Sequence, residues 1–169
     1  MSGQHKLELD QLTIVSGGQT GADRAALDWA LAHGVNCGGW CPKGRLAEDG
    51  PIDLKYPLKE TPSESYSERT EWNVRDSDAT VVFSIAPELS GGSKETLELA
   101  HRHDKPCLHL HSGLPDASER FRAFLENNRV KVLNVAGPRS SHEPAIGGFV
   151  QWMLKEIIRK RARDELGYH

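Results

Sequence analysis

The sequence predicts an α/β fold: one domain built on a doubly wound, mostly parallel sheet. Short apolar runs alternate along the chain with segments whose apolar residues recur at helical spacing. The helical segments reach ten residues or more, the length of a parallel crossover rather than a hairpin. Three of the apolar runs are also followed by loops of small and hydroxylated residues, the pattern expected beyond the carboxyl ends of a parallel sheet.

The first strand is Leu12-Thr13-Ile14-Val15, closed by Ser16-Gly17-Gly18. Ala22, Ala25, Ala26, Trp29 and Ala30 then mark a helix that Gly34 stops. Val35 to Trp40 reads as a second strand, weakened by Gly38 and Gly39. Pro42 to Pro62, rich in Pro, Gly and charge, is long enough for a functional excursion. A helix is expected from about Ser65 to Asp76, and Ala79 to Ile85 is the clearest buried strand. Gly91-Gly92 opens a helix that continues to about His103, and Pro106 to Leu110 is the next strand. A helix carrying Phe121, Phe124 and Leu125 leads to a last strand, Val130 to Ala136. Ile146, Phe149, Val150, Met153, Leu154, Ile157 and Ile158 trace the apolar stripe of a final helix. Residues 1–11 are expected to form a leader and 12–169 the single domain.

Composition narrows the function classes. Apolar residues make up 37% of the chain and charged residues 27%, a globular balance. A net charge of −3 argues against a general binder of nucleic acid or anionic membrane. Met1 to Lys6 lacks the apolar core of a signal peptide, and no apolar run approaches membrane-spanning length, so a cytoplasmic location is expected. Three cysteines do not make a disulfide framework, and Cys37-x-x-x-Cys41 has no partner pair for zinc. His109 and His111 share a strand face, whereas His101 and His103 diverge on a helix, so no metal site is assigned. Cys107 reads as a small buried hydrophobe. The basic residues Arg159, Lys160, Arg161 and Arg163 suit a solvated helix end. Spacing assembles no catalytic Ser-His-Asp or Cys-His set.

The candidate ligand groups lie in the three loops. In the first, Gly17, Gly18 and Gly21 let the backbone approach a ligand closely. Free N–H groups at the following helix start would face that ligand, with Gln19, Thr20 and Arg24 adding hydrogen bonds and charge. Asp23 reads equally as a helix-start carboxylate or as a contact to a ligand hydroxyl, amine or cation. The loop is not a Walker A sequence, because Ala22-Asp23 follows Gly21 where Lys-Ser/Thr is required. Nor is it a dinucleotide fingerprint, since Ser16 replaces the first glycine and Cys41-Pro42-Lys43 stands where the ribose-binding acid belongs. In the second loop Ser90, Gly91, Gly92, Ser93, Lys94 and Thr96 repeat the same logic, and a plain helix start remains the alternative. In the third, Gly137-Pro138 launches Arg139, which reads either as an oxyanion fork or as a surface arginine. Arg69 and Asn73 share a helix face through i, i+4 spacing, and that face could point toward the ligand rim.

The run Ile14 to Asp28, with Ser16-Gly17-Gly18-Gln19-Thr20-Gly21-Ala22-Asp23-Arg24 at its centre, resembles the opening of the molybdenum carrier family, the molybdenum cofactor carrier proteins. The resemblance continues through Gly50-Pro51-Ile52, Arg69 to Val74, Ser77 to Thr80, Gly92 to Thr96 and Leu133 to Ser141, covering about Leu12 to Ala145. It implies a Rossmann-like cytoplasmic homodimer or homotetramer that holds molybdenum cofactor (molybdopterin) or a molybdate-like oxyanion; a molybdoenzyme is the candidate recipient, and whether the chain is an enzyme stays open, with a binding protein favoured. Gly17 to Arg24 and Ser90 to Lys94 would be its anion-binding loops, so replacing Arg24 or Lys94 should weaken binding. The wider group includes the lysine-decarboxylase-like (LOG) nucleotide phosphoribohydrolases, whose loop resembles Pro-Gly-Gly-x-Gly-Thr-x-x-Glu. This chain keeps Gly91, Gly92 and Thr96 but has Leu99 at the glutamate position, which places a nucleoside-monophosphate hydrolase second. A nucleotide-ligand sensor is a third class.

Overall fold

The computed structural model describes residues 9–167, and their side chains except those of residues 9 and 159–165. Most of the expected leader therefore lies outside the described residues, and its end, Leu9–Gln11, is one 3-10 turn. The basic run Arg159, Lys160, Arg161 and Arg163 lies outside the described side chains.

The elements follow in the order β1 (Thr13–Val15), α1 (Ala22–Ala32), β2 (Asn36–Gly38), β3 (Trp40–Cys41), β4 (Lys59–Glu60), α2 (Tyr66–Arg75), β5 (Ala79–Ser84), α3 (Gly91–Arg102), β6 (Cys107–His111), α4 (Ala117–Asn127), β7 (Val132–Ala136) and α5 (Ile146–Glu165). Five strands form one parallel sheet in the order β2-β1-β7-β5-β6. From β1 the chain crosses outward to β2, and from β5 it crosses outward to β6 in the opposite direction. Crossovers of one hand put α1 and α3 on opposite faces of the sheet. The strand between them, β7, thus sits where the winding reverses, and a crevice opens beyond its carboxyl end.

Strand β5 is buried at every residue, and its two faces divide the molecule. Ala79, Val81 and Phe83 join the main core beneath α1, α4 and α5, with Ile14, Leu133, Val135, Phe121, Val150, Met153 and Leu154. Phe83 meets the edges of Phe121 and Phe149 at centroid distances of 5.4 and 5.8 Å. Phe83 and Phe121, both fully buried, each contribute about 1.5–3 kcal/mol in removed apolar surface. The opposite face, under α2 and α3, has only a small apolar cluster of Val74, Leu99 and Ala100. Val82 adds one more buried apolar side chain there, but Thr80, Asn134 and Asn73 are all buried polar residues. That polarity is the first structural sign of where a ligand would lie.

The expected second strand, Val35 to Trp40, is corrected by the structure. It breaks at Gly39, whose φ of +126° no strand residue adopts. Asn73 then captures both polar groups of Trp40, accepting from its N–H at 2.8 Å and donating to its carbonyl at 2.9 Å. Residues Trp40–Cys41 instead pair in parallel with Lys59–Glu60, in a separate two-stranded ribbon. The excursion between them has its own small core of Cys41, Ile52, Tyr56 and Leu58 against Leu27. Arg45 staples it by donating to the carbonyls of Ile52, Leu58, Asp53 and Tyr56.

Candidate functional site

A cavity of about 410 Å³ occupies the crevice beyond β7. Gly17, Gln19 and Asp23 line it from the β1 side, and Arg69, Thr70 and Asn73 from α2. Ser90, Gly91, Gly92, Ser93 and Thr96 line it from the start of α3, and Asn134 and Arg139 from β7 and its loop. Eleven of these, all but Thr70 and Asn134, are residues singled out by sequence, and they share one wall system. Gly18, Thr20, Gly21, Arg24 and Lys94 do not line it.

The first loop is not an open cradle of N–H groups. The Asp23 carboxylate folds back into the loop and accepts from the Gln19 N–H at 3.3 Å, with the Gly17 N–H also directed at it. The Gln19 side chain accepts from the N–H groups of Thr20 at 3.1 Å and Glu48 at 2.9 Å, and Ala22 donates to the Pro138 carbonyl. A protein carboxylate therefore takes the place the sequence assigns to a ligand anion. Burial pushes the Asp23 carboxyl above its ordinary range, against the pull of Arg69, whose Nη2 lies 4.0 Å away. Two donors on this wall remain without partners, Gln19 Nε2 and Arg69 Nε. Gln19 is 6% exposed, and an unmet buried donor of this kind costs roughly 1–3 kcal/mol unless a ligand or water meets it.

Close approach explains two of the glycines. A Cβ on Gly17 would stand 2.6 Å from Arg69 Nε, so the guanidinium lies directly on the loop backbone. Gly21, at φ +82°, abuts the backbone of Pro138, Arg139 and Ser140, and so docks the first loop on the third. Glu48 strengthens that docking from the excursion. It accepts from the hydroxyls of Thr20 and Ser141 and from the Ser141 N–H. The Ser141 and Thr20 hydrogen bonds hold the Glu48 carboxyl down at about 2.

The cations are distributed differently from the sequence expectation. Arg24 pairs with Asp49 and donates to the Gly18 carbonyl at 3.1 Å, which turns it away from the cavity. Lys94 is exposed, outside the wall. Arg69 and Arg139 are the arginines on it, and both lie against the Tyr66 ring, at 5.4 and 5.9 Å from its centroid. The start of α3 faces them without a side-chain cap on Ser90. The first N–H groups of a helix have no intrahelical acceptor, so this end is suited to an anion.

Outside the cavity, Ser84 Oγ lies 2.7 Å from His109 Nε2, a pair that spacing did not disclose. Its hydroxyl donates to the Ala86 carbonyl at 2.7 Å, so the ring holds the hydroxyl in place rather than taking its proton. Cys41 is buried in the small core, and burial pushes the Cys107 thiol up to about 12. Among the described residues no group of three or more His, Cys, Asp and Glu side chains could hold a metal ion. No described helix is long and apolar enough to cross a membrane.

Sequence reasoning missed Tyr66, Asn134, His142 and Glu48. Asn134 carried a signal, as the polar interruption of an apolar strand, Val-Leu-Asn-Val-Ala. The other three reach the site through tertiary placement alone.

The model of the circularly permutated YpsA SLOG family matches residues 14–158. A crystal structure of a "Putative molybdenum carrier protein" from Syntrophus aciditrophicus SB is 44% identical, with a TM-score of 0.84 over 86% of this chain and 93% of that one. An (E)-4-hydroxy-3-methyl-but-2-enyl diphosphate reductase superposes at a TM-score of 0.37 and 11% identity, over 86% of this chain and 59% of that one, and carries no argument. No protein of curated function matches the chain.

Proposed function

The chain belongs to the circularly permutated YpsA SLOG family, and from that membership and the cavity over β7 we propose that it binds and stores molybdenum cofactor or a molybdate-like oxyanion. One observation carries the reading. Two arginines on different elements, Arg69 and Arg139, converge with the uncapped start of α3 on one cavity. Such a set recognises a multiply charged oxygen anion, with the arginines forking onto its oxygens and the helix start donating N–H groups. The anion's place is at α3 and Arg139, because Asp23 already occupies the first loop.

Size favours the cofactor over the bare oxyanion. A volume of about 410 Å³ falls within the range of small-molecule sites. A lone tetrahedral oxyanion would leave much of that space to water, whereas a phosphorylated pterin brings an organic body to fill it. In this reading the protein acts in the cytoplasm as a homo-oligomer, without a reaction of its own, and releases its cargo to a molybdoenzyme.

The test is metal analysis beside absorbance and fluorescence on protein purified from cells that make the cofactor. Stoichiometric molybdenum with a pterin signal is the expected result, and molybdenum alone would reduce the reading to an oxyanion store. Neither signal would overturn it. The buried Asp23 carboxyl on the cavity wall favours one other reading, a nucleoside-monophosphate hydrolase, which release of free base from a nucleotide would reveal.

A further inference from the structure

The anion is only half of what the cavity is built to meet, because its inner wall has a fixed hydrogen-bonding pattern. The Gln19 side chain cannot choose its orientation. Its carbonyl oxygen accepts two backbone N–H groups, from Thr20 and Glu48, so the amide flip is set and its NH₂ is left as the donor. That NH₂ has no partner, and the residue is 6% exposed on the cavity wall. Beside it stands Asp23, 5% exposed, whose carboxylate is held on the Gln19 N–H and near Arg69. A fixed donor next to a fixed acceptor complements a rigid ligand edge carrying the opposite pair. Freely rotating hydroxyls would not need such fixity. Tyr66 also lines the cavity, an aromatic side chain beside the two arginines.

We propose that the inner end of the cavity reads the 2-amino-4-oxopyrimidine edge shared by guanine and pterins. The ring carbonyl accepts from Gln19 Nε2, and the adjacent ring N–H and amino group donate to the Asp23 carboxylate. This assignment rests on the anion-binding reading above and deepens it, because it names the heterocycle that accompanies the phosphate.

The experiment is a calorimetric titration of the intact protein with guanosine monophosphate, adenosine monophosphate and inorganic phosphate, and a fluorescence titration with pterin. Adenine presents an amino donor where guanine has its carbonyl, so its amino group meets the Gln19 NH₂ head-on. Guanosine monophosphate is expected to bind at least about tenfold more tightly than adenosine monophosphate, with pterin also bound. Gln19→Glu keeps an acceptor for the two backbone N–H groups and removes the donor, so it should collapse that ratio. Asp23→Asn keeps an acceptor for the Gln19 N–H and should also reduce it. The wild-type ratio stands as a test even where a variant fails to fold. Equal binding of the two nucleotides, both lost in Arg139→Ala, would overturn the ring assignment and leave the anion site standing. No binding of guanosine monophosphate or pterin would overturn it as well. If inorganic phosphate and the nucleotides all fail to bind, the anion reading falls with it.

Discussion

Gly21→Ala is the sharpest test of how the site is assembled. Gly21 precedes α1 at φ +82° and ψ −126°, a backbone conformation that a side chain strains at a cost of about 1–3 kcal/mol. A Cβ there would also stand 2.5 Å from the Pro138 carbonyl oxygen and 2.7 Å from the Ser140 nitrogen. Both are backbone atoms of a docked loop, so the clash is relieved only by moving the loop, and overpacking of this kind costs about another 1–3 kcal/mol. A middle value near 4 kcal/mol lowers the melting temperature of a chain this size by roughly 8–16 °C. Thermal unfolding followed by circular dichroism reads the loss. Gly92→Ala is the matched control, because Gly92 has an ordinary φ and a Cβ there meets no atom within 4 Å. That variant should melt within a few degrees of wild type, yet bind phosphorylated ligand at least about tenfold more weakly, since its methyl enters the space beside the α3 N–H groups. A Gly21→Ala protein that melts with wild type would refute the docking of the first loop on the third. A stable Gly92→Ala protein with full affinity would refute the placement of the anion.

Three further outcomes follow from the same geometry. Arg139→Ala should weaken binding of phosphorylated ligands by about 10–100-fold in a calorimetric titration while Lys94→Ala changes it little, because Arg139 alone of the two lines the cavity. The Glu48 carboxyl sits at about 2 in the folded protein against 4.5 ordinarily, so its stabilisation is present in full above pH 4.5 and is lost as pH falls toward 2. Melting curves of wild type and Glu48→Gln should accordingly converge across that window and stay apart at neutral pH. Arg45→Ala leaves the Ile52 and Leu58 carbonyls without this donor while Asp53 and Tyr56 keep a backbone N–H, and is expected to cost roughly 1–3 kcal/mol; hydrogen exchange should show it as loosening of residues 42–62 with β5 still protected.

The sheet was legible in the sequence because each strand carries its own apolar signal. Ala79-Thr80-Val81-Val82-Phe83-Ser84 is buried on both faces, and a continuous apolar run between helical segments is what that environment selects. The break at Gly39 was only half legible: the two glycines weakened the strand, but the group that holds Trp40 out of the sheet, Asn73, lies on another element. The site divides in the same way. Glycines and hydroxyls at the strand ends announce themselves by position, and Gly17, Ser90, Gly91, Gly92, Ser93 and Thr96 reach the cavity wall. Charged side chains do not, because a cation's destination depends on which carboxylate lies nearest in space. Arg24 and Arg69 look alike in sequence, but Asp49 takes the first and the bare backbone of Gly17 receives the second.

The cavity owes its place to the order of the strands and its chemistry to the thinness of one layer. Crossovers of one hand leaving β1 and β5 in opposite directions must part over β7, so a crevice there is a consequence of topology before any side chain is chosen. On the α1, α4 and α5 face the large core fills the space beneath the helices completely. On the α2 and α3 face the apolar cluster is confined to Val74, Leu99 and Ala100, and beside Val82 the sheet presents Thr80 and Asn134 where a core would present Val or Leu. Burying those groups is costly unless each is hydrogen-bonded, and Asn134 achieves this by donating to Thr80 at 3.2 Å. Gln19 and Arg69 keep donors that the protein itself does not meet. A fold selected for stability alone would place apolar residues at these positions, as it does on the other face of the same strands. That contrast between the two faces is the physical argument for placing the proposed ligand on the polar half of the molecule, beside the donors that no protein group meets.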